Sequence, residues 1–326
     1  MKFTLLSVEK YIVAATAAVN KAERRVALIS MVIADHPETR DLIDALKAAA
    51  ARGVSVTVAA DVITYGEVTG SFLPIRYYGK GAHSATGMAK DLRSAGVTFN
   101  WLGYGRVTLL NGRTHSKWCV VDDTVFSFGG VNLYNEGLRH TDYMYQVTDG
   151  RLANRLVDEQ KRIERAERTA TNYASVGYEI DGQTILFDGG VIGHSIIYQR
   201  VCELTKLAAH VTFVSQYCPT GRLAKALANT DSMLYFNQPD QAIGINRFFI
   251  RTSMLISGLS SAYKKKKYLH AKCMLFVMKD GSKIAITGSH NFAYAGVLLG
   301  TREVALETKD PAVISQLESF IKTHIS

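Results

Sequence analysis

His115-Ser116-Lys117 and His270-Ala271-Lys272 are two copies of one short pattern, and each is followed by a glycine turn that ends in asparagine. The first copy leads to Gly129-Gly130-Val131-Asn132 and the second to Gly288-Ser289-His290-Asn291. An imidazole can attack phosphorus or protonate a leaving oxygen near neutral pH. A lysine ammonium and an asparagine amide can hold the non-bridging oxygens while negative charge builds on them. The repeated pattern therefore predicts a phosphodiester-cleaving site, formed where two halves of the chain meet.

This double pattern resembles the HxKxxxxD and GSxN signature of the phospholipase D superfamily. In the first half, Asp122 stands at the aspartate position and Gly130 at the serine position. In the second half, Ser289 matches the signature, but Val277 stands where the aspartate belongs. The nearby Asp280-Gly281 predicts a hairpin turn that lengthens the second connection.

The resemblance covers most of the chain, from about residue 26 to residue 305. Within the superfamily the sequence looks most like cardiolipin synthases and phosphatidylserine synthases, on the FGGVN at residues 128–132 and on Ser215-Gln216-Tyr217-Cys218-Pro219. The resemblance implies an α/β fold of two pseudo-symmetric lobes that share one active-site cleft. Each lobe would be a mixed β-sheet flanked by helices. We expect the first lobe to span residues 1–175 and the second residues 176–326.

A two-step mechanism through a phosphohistidine is also implied by the resemblance. One histidine attacks phosphorus, the other protonates the leaving alcohol, and that acid then activates water or an incoming alcohol. We expect His115 to be the nucleophile and His270 the acid. The motif lysines and asparagines would clamp the phosphoryl oxygens, so neither a metal nor a cofactor is expected. These four residues are Lys117, Asn132, Lys272 and Asn291.

Carboxylates are expected behind the two histidines, to orient the rings and stabilise the imidazolium. Asp142, in His140-Thr141-Asp142, and Glu303, in Thr301-Arg302-Glu303, follow the two glycine turns at corresponding places. His140 and His290 lack the HxK setting, so we expect them to be structural. The residues expected to bind substrate are Asp122, Gly130, Ser289 and Lys266.

Secondary-structure patterns repeat in the same order in the two halves. Apolar periodicity predicts helix, strand, helix and strand over residues 8–24, 26–34, 39–52 and 54–60, and again over residues 191–210, 211–217, 221–229 and 232–236. We assign the N-terminal residues to the first amphipathic helix rather than to a signal peptide. The helix predicted over residues 152–171 and the polar stretch at 172–183 mark the expected boundary between the lobes. An insertion over residues 64–84, with Phe72 and Tyr78, predicts either a packed lid or a loop that enters a membrane surface.

Charge and composition narrow the class of partner. The chain has 326 residues, 47% hydrophobic content and a formal net charge of +9. No uninterrupted apolar run of about 18 residues predicts a membrane span, so we expect a cytoplasmic protein that can lie at the membrane periphery. The excess of Lys and Arg favours a polyanion, either an anionic bilayer or a nucleic acid. Its densest part is Lys264-Lys265-Lys266-Lys267, just before His270.

Three functions are compatible with these observations. The first is a phospholipase D or phosphatidyltransferase acting on phospholipids, which the apolar insertion favours. The second is a nuclease of the same superfamily, because the site recognises the phosphodiester and not what hangs from it. The third is a non-catalytic anion-binding relative, against which the two intact His, Lys and Asn sets argue.

Overall fold

The computed structural model describes residues 1–62, 80–103 and 112–326. Two mixed β-sheets, one from each half of the chain, form two lobes of the same architecture, which confirms the predicted α/β fold. Among the described residues each sheet has seven strands, in the orders β1-β7-β6-β5-β2-β3-β4 and β11-β10-β12-β13-β14-β9-β8. The apolar insertion at Phe72 to Tyr78 lies outside the described residues.

The first lobe is built from seven strands and five helices of the described residues. Its strands are β1 (Thr4–Ser7), β2 (Arg25–Ser30), β3 (Ser55–Asp61), β4 (Thr98–Leu102), β5 (Trp118–Val121), β6 (Thr124–Ser127) and β7 (Tyr143–Thr148). Its helices are α1 (Val8–Asn20), α2 (Pro37–Ala51), α3 (Lys80–Ser94), α4 (Asn135–Arg139) and α5 (Gly150–Arg168). Strands β2, β3 and β4 are parallel, and the remaining pairs are antiparallel.

The second lobe repeats this plan. Its strands are β8 (Val176–Ile180), β9 (Gln183–Gly189), β10 (Ala208–Val214), β11 (Asp231–Tyr235), β12 (Cys273–Met278), β13 (Lys283–Gly288) and β14 (Arg302–Thr308). Its helices are α6 (Ile196–Leu207), α7 (Gly221–Ala228), α8 (Gly244–Ser257), α9 (Tyr294–Leu299) and α10 (Pro311–His324), with a 3-10 turn at Pro239–Gln241. We propose to divide the lobes between residues 175 and 176, where the chain has left α5 and is about to enter β8.

Alternation along β2 shows how the first sheet is covered on both faces. Val26 and Leu28 join a core cluster with α1 and α2, whereas Ala27 and Ile29 face a second cluster with α5. That second cluster also contains side chains of β12, β14 and α10 from the other lobe. The Tyr143 and Phe320 rings meet there at 4.8 Å between centroids. The two lobes therefore share one hydrophobic core.

Three local expectations can be compared with the structure. The predicted turn at Asp280-Gly281 is confirmed, because β12 and β13 pair antiparallel across it and Gly281 has φ 83°. The helix predicted over residues 191–210 was too long: it ends at Leu207, and residues 208–214 form β10 between β11 and β12. The assignment of the N-terminal residues to a helix was wrong for residues 4–7, which pair with β7 as β1.

Membrane-spanning helices were searched for in the same ranges. No helix of residues 1–62, 80–103 or 112–326 combines the length and hydrophobicity of a transmembrane span.

Candidate active site

Each HxK segment stands directly before a buried strand and is bonded to the opposite lobe. The backbone N–H groups of His115 and Ser116 donate to the carbonyl oxygen of Arg302 at 2.8 and 3.0 Å. The N–H groups of His270 and Ala271 donate in the same way to Thr141, at 3.0 and 2.9 Å. Thr141 precedes β7 and Arg302 begins β14. The HxK segment of each lobe is therefore hydrogen-bonded to the backbone of the other lobe.

The two histidines are paired with carboxylates in a crossed arrangement. His115 Nδ1 lies 2.9 Å from Glu303 Oε2, and His270 Nδ1 lies 2.7 Å from Asp142 Oδ2. All four side chains are buried. The structure thus places Asp142 and Glu303 against the histidines, with each carboxylate supplied by the opposite lobe. Because Nδ1 faces a carboxylate, Nε2 is the ring atom left for chemistry at phosphorus.

Both motif lysines are buried beside their own histidines. Lys117 Nζ donates to the His115 carbonyl oxygen at 2.8 Å, and Lys272 Nζ donates to that of His270 and lies 3.2 Å from its Nδ1. Burial lowers the pKa of Lys117 to about 7, with a further contribution from the charge of Lys272. Burial lowers the pKa of Lys272 to about 8. Positive charge on these two lysines is disfavoured by burial and by their mutual repulsion. An anion bound beside them would stabilise both charges.

The asparagines that end the glycine turns have unused hydrogen-bonding capacity. The side-chain oxygens of Asn132 and Asn291 are buried and have no hydrogen-bond partner among the described residues. Leaving a buried amide oxygen unpaired costs about 1–3 kcal/mol. The missing partner of each oxygen is a hydrogen-bond donor, such as a hydroxyl group, whereas the amide nitrogen of each side chain can itself donate to an anionic oxygen.

Burial and pairing shift the acid-base properties of the crossed pairs in different directions. Burial raises the pKa of Asp142 to about 6. Burial would also raise the pKa of Glu303, but the charge and hydrogen bond of His115 outweigh it and lower the value to about 2. Burial lowers the pKa of His115 to about 4 and holds that of His270 well below 6.5. Without a ligand, both imidazoles are therefore neutral near pH 7.

Gly130 and Ser289 hold equivalent positions and support the carboxylates in different ways. Ser289 Oγ donates to Glu303 Oε2 at 2.5 Å, whereas the Gly130 N–H donates to Asp142 Oδ1 at 3.2 Å. A Cβ atom at Gly130 would stand 2.7 Å from Asp142 Oδ2 and 2.9 Å from the His270 carbonyl oxygen. Because the aspartate side chain is shorter than that of glutamate, the backbone at Gly130 lies close to the Asp142 carboxylate. No room is left there for a serine side chain.

Asp122 and Lys266, two residues expected to bind substrate, lie elsewhere. Asp122 follows β5 at the end opposite His115, and its carboxylate accepts hydrogen bonds from the backbone N–H groups of residues 23–25 at 2.9–3.0 Å. This placement corrects the expectation for Asp122, which fastens the turn between β5 and β6 to the start of β2. At the equivalent place Val277 still lies within β12, so no turn has to be fastened there. Lys266 is exposed on the loop before His270, and no contact with the motif residues is described for it.

The other two histidines near the motifs differ from one another. His290 Nδ1 accepts a hydrogen bond from the Phe292 N–H at 2.7 Å, which fits the structural role expected for it. The His140 ring lies 5.4 Å from the His270 ring and 4.9 Å from that of Tyr268, measured between centroids. Its Nδ1 is buried and has no hydrogen-bond partner among the described residues. His140 therefore lies against the candidate site, and the structural role expected for it stays a prediction.

Comparison with known proteins was made by sequence and by fold. Residues 16–163 match the family model for the phospholipase D-like domain of cardiolipin synthase. No curated protein sequence matches the chain.

Several solved structures resemble the fold. Phosphatidylserine synthase from Haemophilus influenzae has a TM-score of 0.73 at 13% identity, over 99% of this chain and 86% of that one. Polyphosphate kinase from Porphyromonas gingivalis has a TM-score of 0.64 at 11% identity, over 98% of this chain and 49% of that one. Nuc from Salmonella typhimurium, a phospholipase D family member, covers 50% of this chain and 91% of its own, at 15% identity and a TM-score of 0.37.

At these identities the structural likenesses bear on the fold alone. The family model covers most of the first lobe, and the fold of the phosphatidylserine synthase runs through both lobes. The first half of the chain thus matches a phospholipase D-like family model, and the chain as a whole is similar in fold to a phosphatidylserine synthase.

Proposed function

We propose that the protein is a phosphodiesterase acting on phospholipids, as a phospholipase D or a phosphatidyltransferase, by a two-step phosphohistidine mechanism. The observation that carries the proposal is the crossed pair of buried histidines, each backed by a carboxylate of the opposite lobe. The buried lysine ammonium groups and the side-chain amide N–H groups of the two asparagines are donors of the kind that phosphoryl oxygens need. Two histidines that are each paired with a carboxylate in this way can act one as nucleophile and the other as acid.

In the first step, the lone pair of His115 Nε2 attacks phosphorus and the bond from phosphorus to the leaving alcohol breaks. The alcohol oxygen takes a proton from His270 Nε2. Glu303 is ionised over the working pH range, so it stabilises the positive charge that forms on the His115 ring. The negative charge of a bound phosphodiester opposes the depressed pKa of His270 and favours its protonated form.

In the second step, His270 Nε2 accepts a proton from water or from an incoming alcohol. The oxygen thus activated attacks phosphorus, and the bond from phosphorus to His115 breaks. Water as acceptor gives a phosphatidic acid, and an alcohol gives a new phosphodiester. Lys117, Lys272 and the two asparagines would hold the non-bridging oxygens through both steps.

Mass spectrometry of products tests the proposal. The protein is incubated with mixed anionic liposomes and glycerol, and separately with labelled single-stranded DNA. Head-group release or exchange is expected with the liposomes, and His115→Asn and His270→Asn should each reduce it by roughly 10³-fold or more. His210→Asn is the matched control, because His210 pairs with Asp231 at the surface. DNA cleavage with unchanged lipid would make the protein a nuclease, and inertness toward both substrates would favour the non-catalytic reading.

A further inference from the structure

Helix α8 exposes a row of large apolar side chains. Phe248, Leu255 and Ile256 are 64%, 84% and 73% exposed, and Phe249 is 45% exposed. On the opposite side of the helix, Ile250 is fully buried and Met254 packs against the second-lobe core. The helix is therefore fixed to the protein by one face while its other face, four large apolar groups, meets solvent.

Positive charge surrounds this face. Residues 241–279 contain no Asp or Glu, whereas Arg247, Arg251 and the lysine run at residues 264–267 all lie within them. The run is held close to the start of α8 by the 3-10 turn, because Gln241 Nε2 donates to the Lys265 carbonyl oxygen at 2.5 Å. Arg247 Nε donates to the carbonyl oxygen of Ala242 at 2.8 Å, on the same segment. The lysine run therefore adjoins the segment that leads into α8 and its apolar face.

Helix α8 is also linked to the candidate active site. Asn246, in the first turn of α8, accepts a hydrogen bond from the Tyr217 hydroxyl at 2.7 Å. Gln216 Nε2 donates to the Tyr217 and Tyr268 hydroxyls at 2.9 and 3.1 Å. The Tyr268 ring packs on His140, which in turn packs on His270. A chain of direct contacts therefore leads from α8 to one of the two motif histidines.

We propose that α8 and residues 264–267 together form a docking surface for an anionic lipid bilayer. An amphipathic helix with aromatic and aliphatic groups on its outer face lies in the plane of the bilayer, with those groups at the boundary of head groups and acyl chains. Lysine and arginine beside it are attracted by the anionic surface. The choice of lipid as partner rests on the proposed function, but the binding itself needs no catalysis. Docking would bring the cleft next to the head groups.

Vesicle sedimentation of the full chain tests the docking surface. The probes are vesicles of phosphatidylcholine alone and of phosphatidylcholine with an equal part of phosphatidylglycerol. Phe248→Ala with Leu255→Ala should weaken binding to the anionic vesicles by about tenfold or more. The control pair is Val13→Ala with Leu207→Ala, two exposed apolar residues on other helices, which should change binding less than twofold.

Charge is tested with a second pair. Lys264→Gln with Lys266→Gln should weaken binding to the anionic vesicles by about tenfold and reduce its dependence on salt. Lys10→Gln with Lys21→Gln, two exposed lysines of the first lobe, is the matched control. Equal binding by all variants, or equal binding to both vesicle types, would overturn the proposal. So would self-association without lipid that Phe248→Ala with Leu255→Ala abolishes, because the apolar face would then bind a second copy of the chain.

Turnover of a short-chain phosphatidylglycerol, dissolved as monomers, separates this inference from the proposed function. Phe248→Ala with Leu255→Ala should turn over the monomeric lipid as the wild type does, while losing activity on vesicles. If the wild type fails on monomeric lipid but still binds anionic vesicles, the proposed chemistry is wrong and the docking surface stands. If it turns over monomers and does not bind the vesicles, the reverse holds.

Discussion

Asp142 and Glu303 occupy equivalent places, yet their surroundings give them opposite acid-base behaviour. Glu303 pairs with His115, and the charge and hydrogen bond of that imidazole keep the pKa of the Glu303 carboxyl well below neutral despite burial. Asp142 is dominated by burial, which raises its pKa to about 6. We therefore expect the two carboxylates of the candidate site to become protonated at different pH values on acidification. His270 should be the first histidine to lose its carboxylate support.

We expect the rate of the second step to fall as pH decreases below about 6, because His270 must then accept a proton and protonated Asp142 no longer stabilises the imidazolium that forms. Asp142→Asn should lower this rate about 10²- to 10⁴-fold and remove this acid limb. The measurement is a pH profile of the rate of phosphohistidine breakdown, after a monomeric substrate has been added, for both proteins. An acid limb near pH 6 that survives in Asp142→Asn would assign the titration to another group.

Gly130 allows a second prediction, which concerns the space around a single residue. In Gly130→Ala the new methyl group would stand 3.0 Å or less from Asp142 Oδ2, the His270 carbonyl oxygen and Lys272 Nζ. We expect a loss of about 1–3 kcal/mol in the free energy of unfolding, together with a loss of activity. Gly87→Ala in α3 is the control, since a Cβ there meets nothing within 4 Å and should stabilise the helix by about 0.5–1 kcal/mol. Urea unfolding measures both variants, and equal stabilities would contradict the steric reading of Gly130.

Among the secondary-structure elements, β7 and β14 do the most to position the candidate site. Strand β14 contains Glu303, and β7 follows directly after Asp142. The backbone carbonyl that accepts hydrogen bonds from the opposite HxK segment lies at or just before the start of each strand. Tyr143, the first residue of β7, reinforces this contact from inside the core. Its hydroxyl lies 2.6 Å from Thr287 Oγ1 on β13, which donates to the Phe128 carbonyl oxygen.

Tyr143→Phe should therefore reduce the free energy of unfolding by about 1–3 kcal/mol, because Thr287 loses a partner in a fully buried place. Tyr178→Phe is a suitable control, since the half-buried Tyr178 ring lies against the Arg155 guanidinium and would keep that contact. Chemical denaturation compares the two variants. A smaller loss in Tyr143→Phe than in Tyr178→Phe would show that this hydrogen bond does not hold the lobes.

Local patterns in the sequence predicted most of these elements, but not their contacts between lobes. The runs that became β2, β3 and α2 carry strong periodicity, and the repeated HxK and GxxN patterns announced two similar halves. Asp142 and Glu303 were identified by their equivalent positions after the glycine turns. Which carboxylate serves which histidine depends on contacts between residues 188 and 128 positions apart, and no local pattern encodes such contacts. The four-residue β1 was missed because only its partner β7 makes it a strand.

Across the whole molecule, the shared core makes the two lobes one structural unit. The central cluster takes side chains from both sheets and from α5 and α10. Arg302 adds a polar link, because its fully buried guanidinium binds Glu167, Thr171 and Asn172 at the end of the first lobe. Separating the lobes would expose this apolar surface and leave buried charges without partners.

We expect a single cooperative thermal transition, with equal calorimetric and van't Hoff enthalpies, because neither lobe can keep its inner face covered alone. Differential scanning calorimetry measures this directly. Two resolved transitions, or a van't Hoff enthalpy of about half the calorimetric one, would mean that the lobes unfold independently.

The crossed histidine–carboxylate pairs also bear on the ancestry of the protein. A half-length chain with this architecture would hold a histidine and the carboxylate meant for another copy's histidine, so it could complete a site only as a homodimer with reciprocal exchange. In a single chain that contains both halves, equivalent positions can carry different residues, because each position then contacts only one partner. Asp142 beside Gly130 and Glu303 beside Ser289 are two such different pairs, each suited to its own histidine.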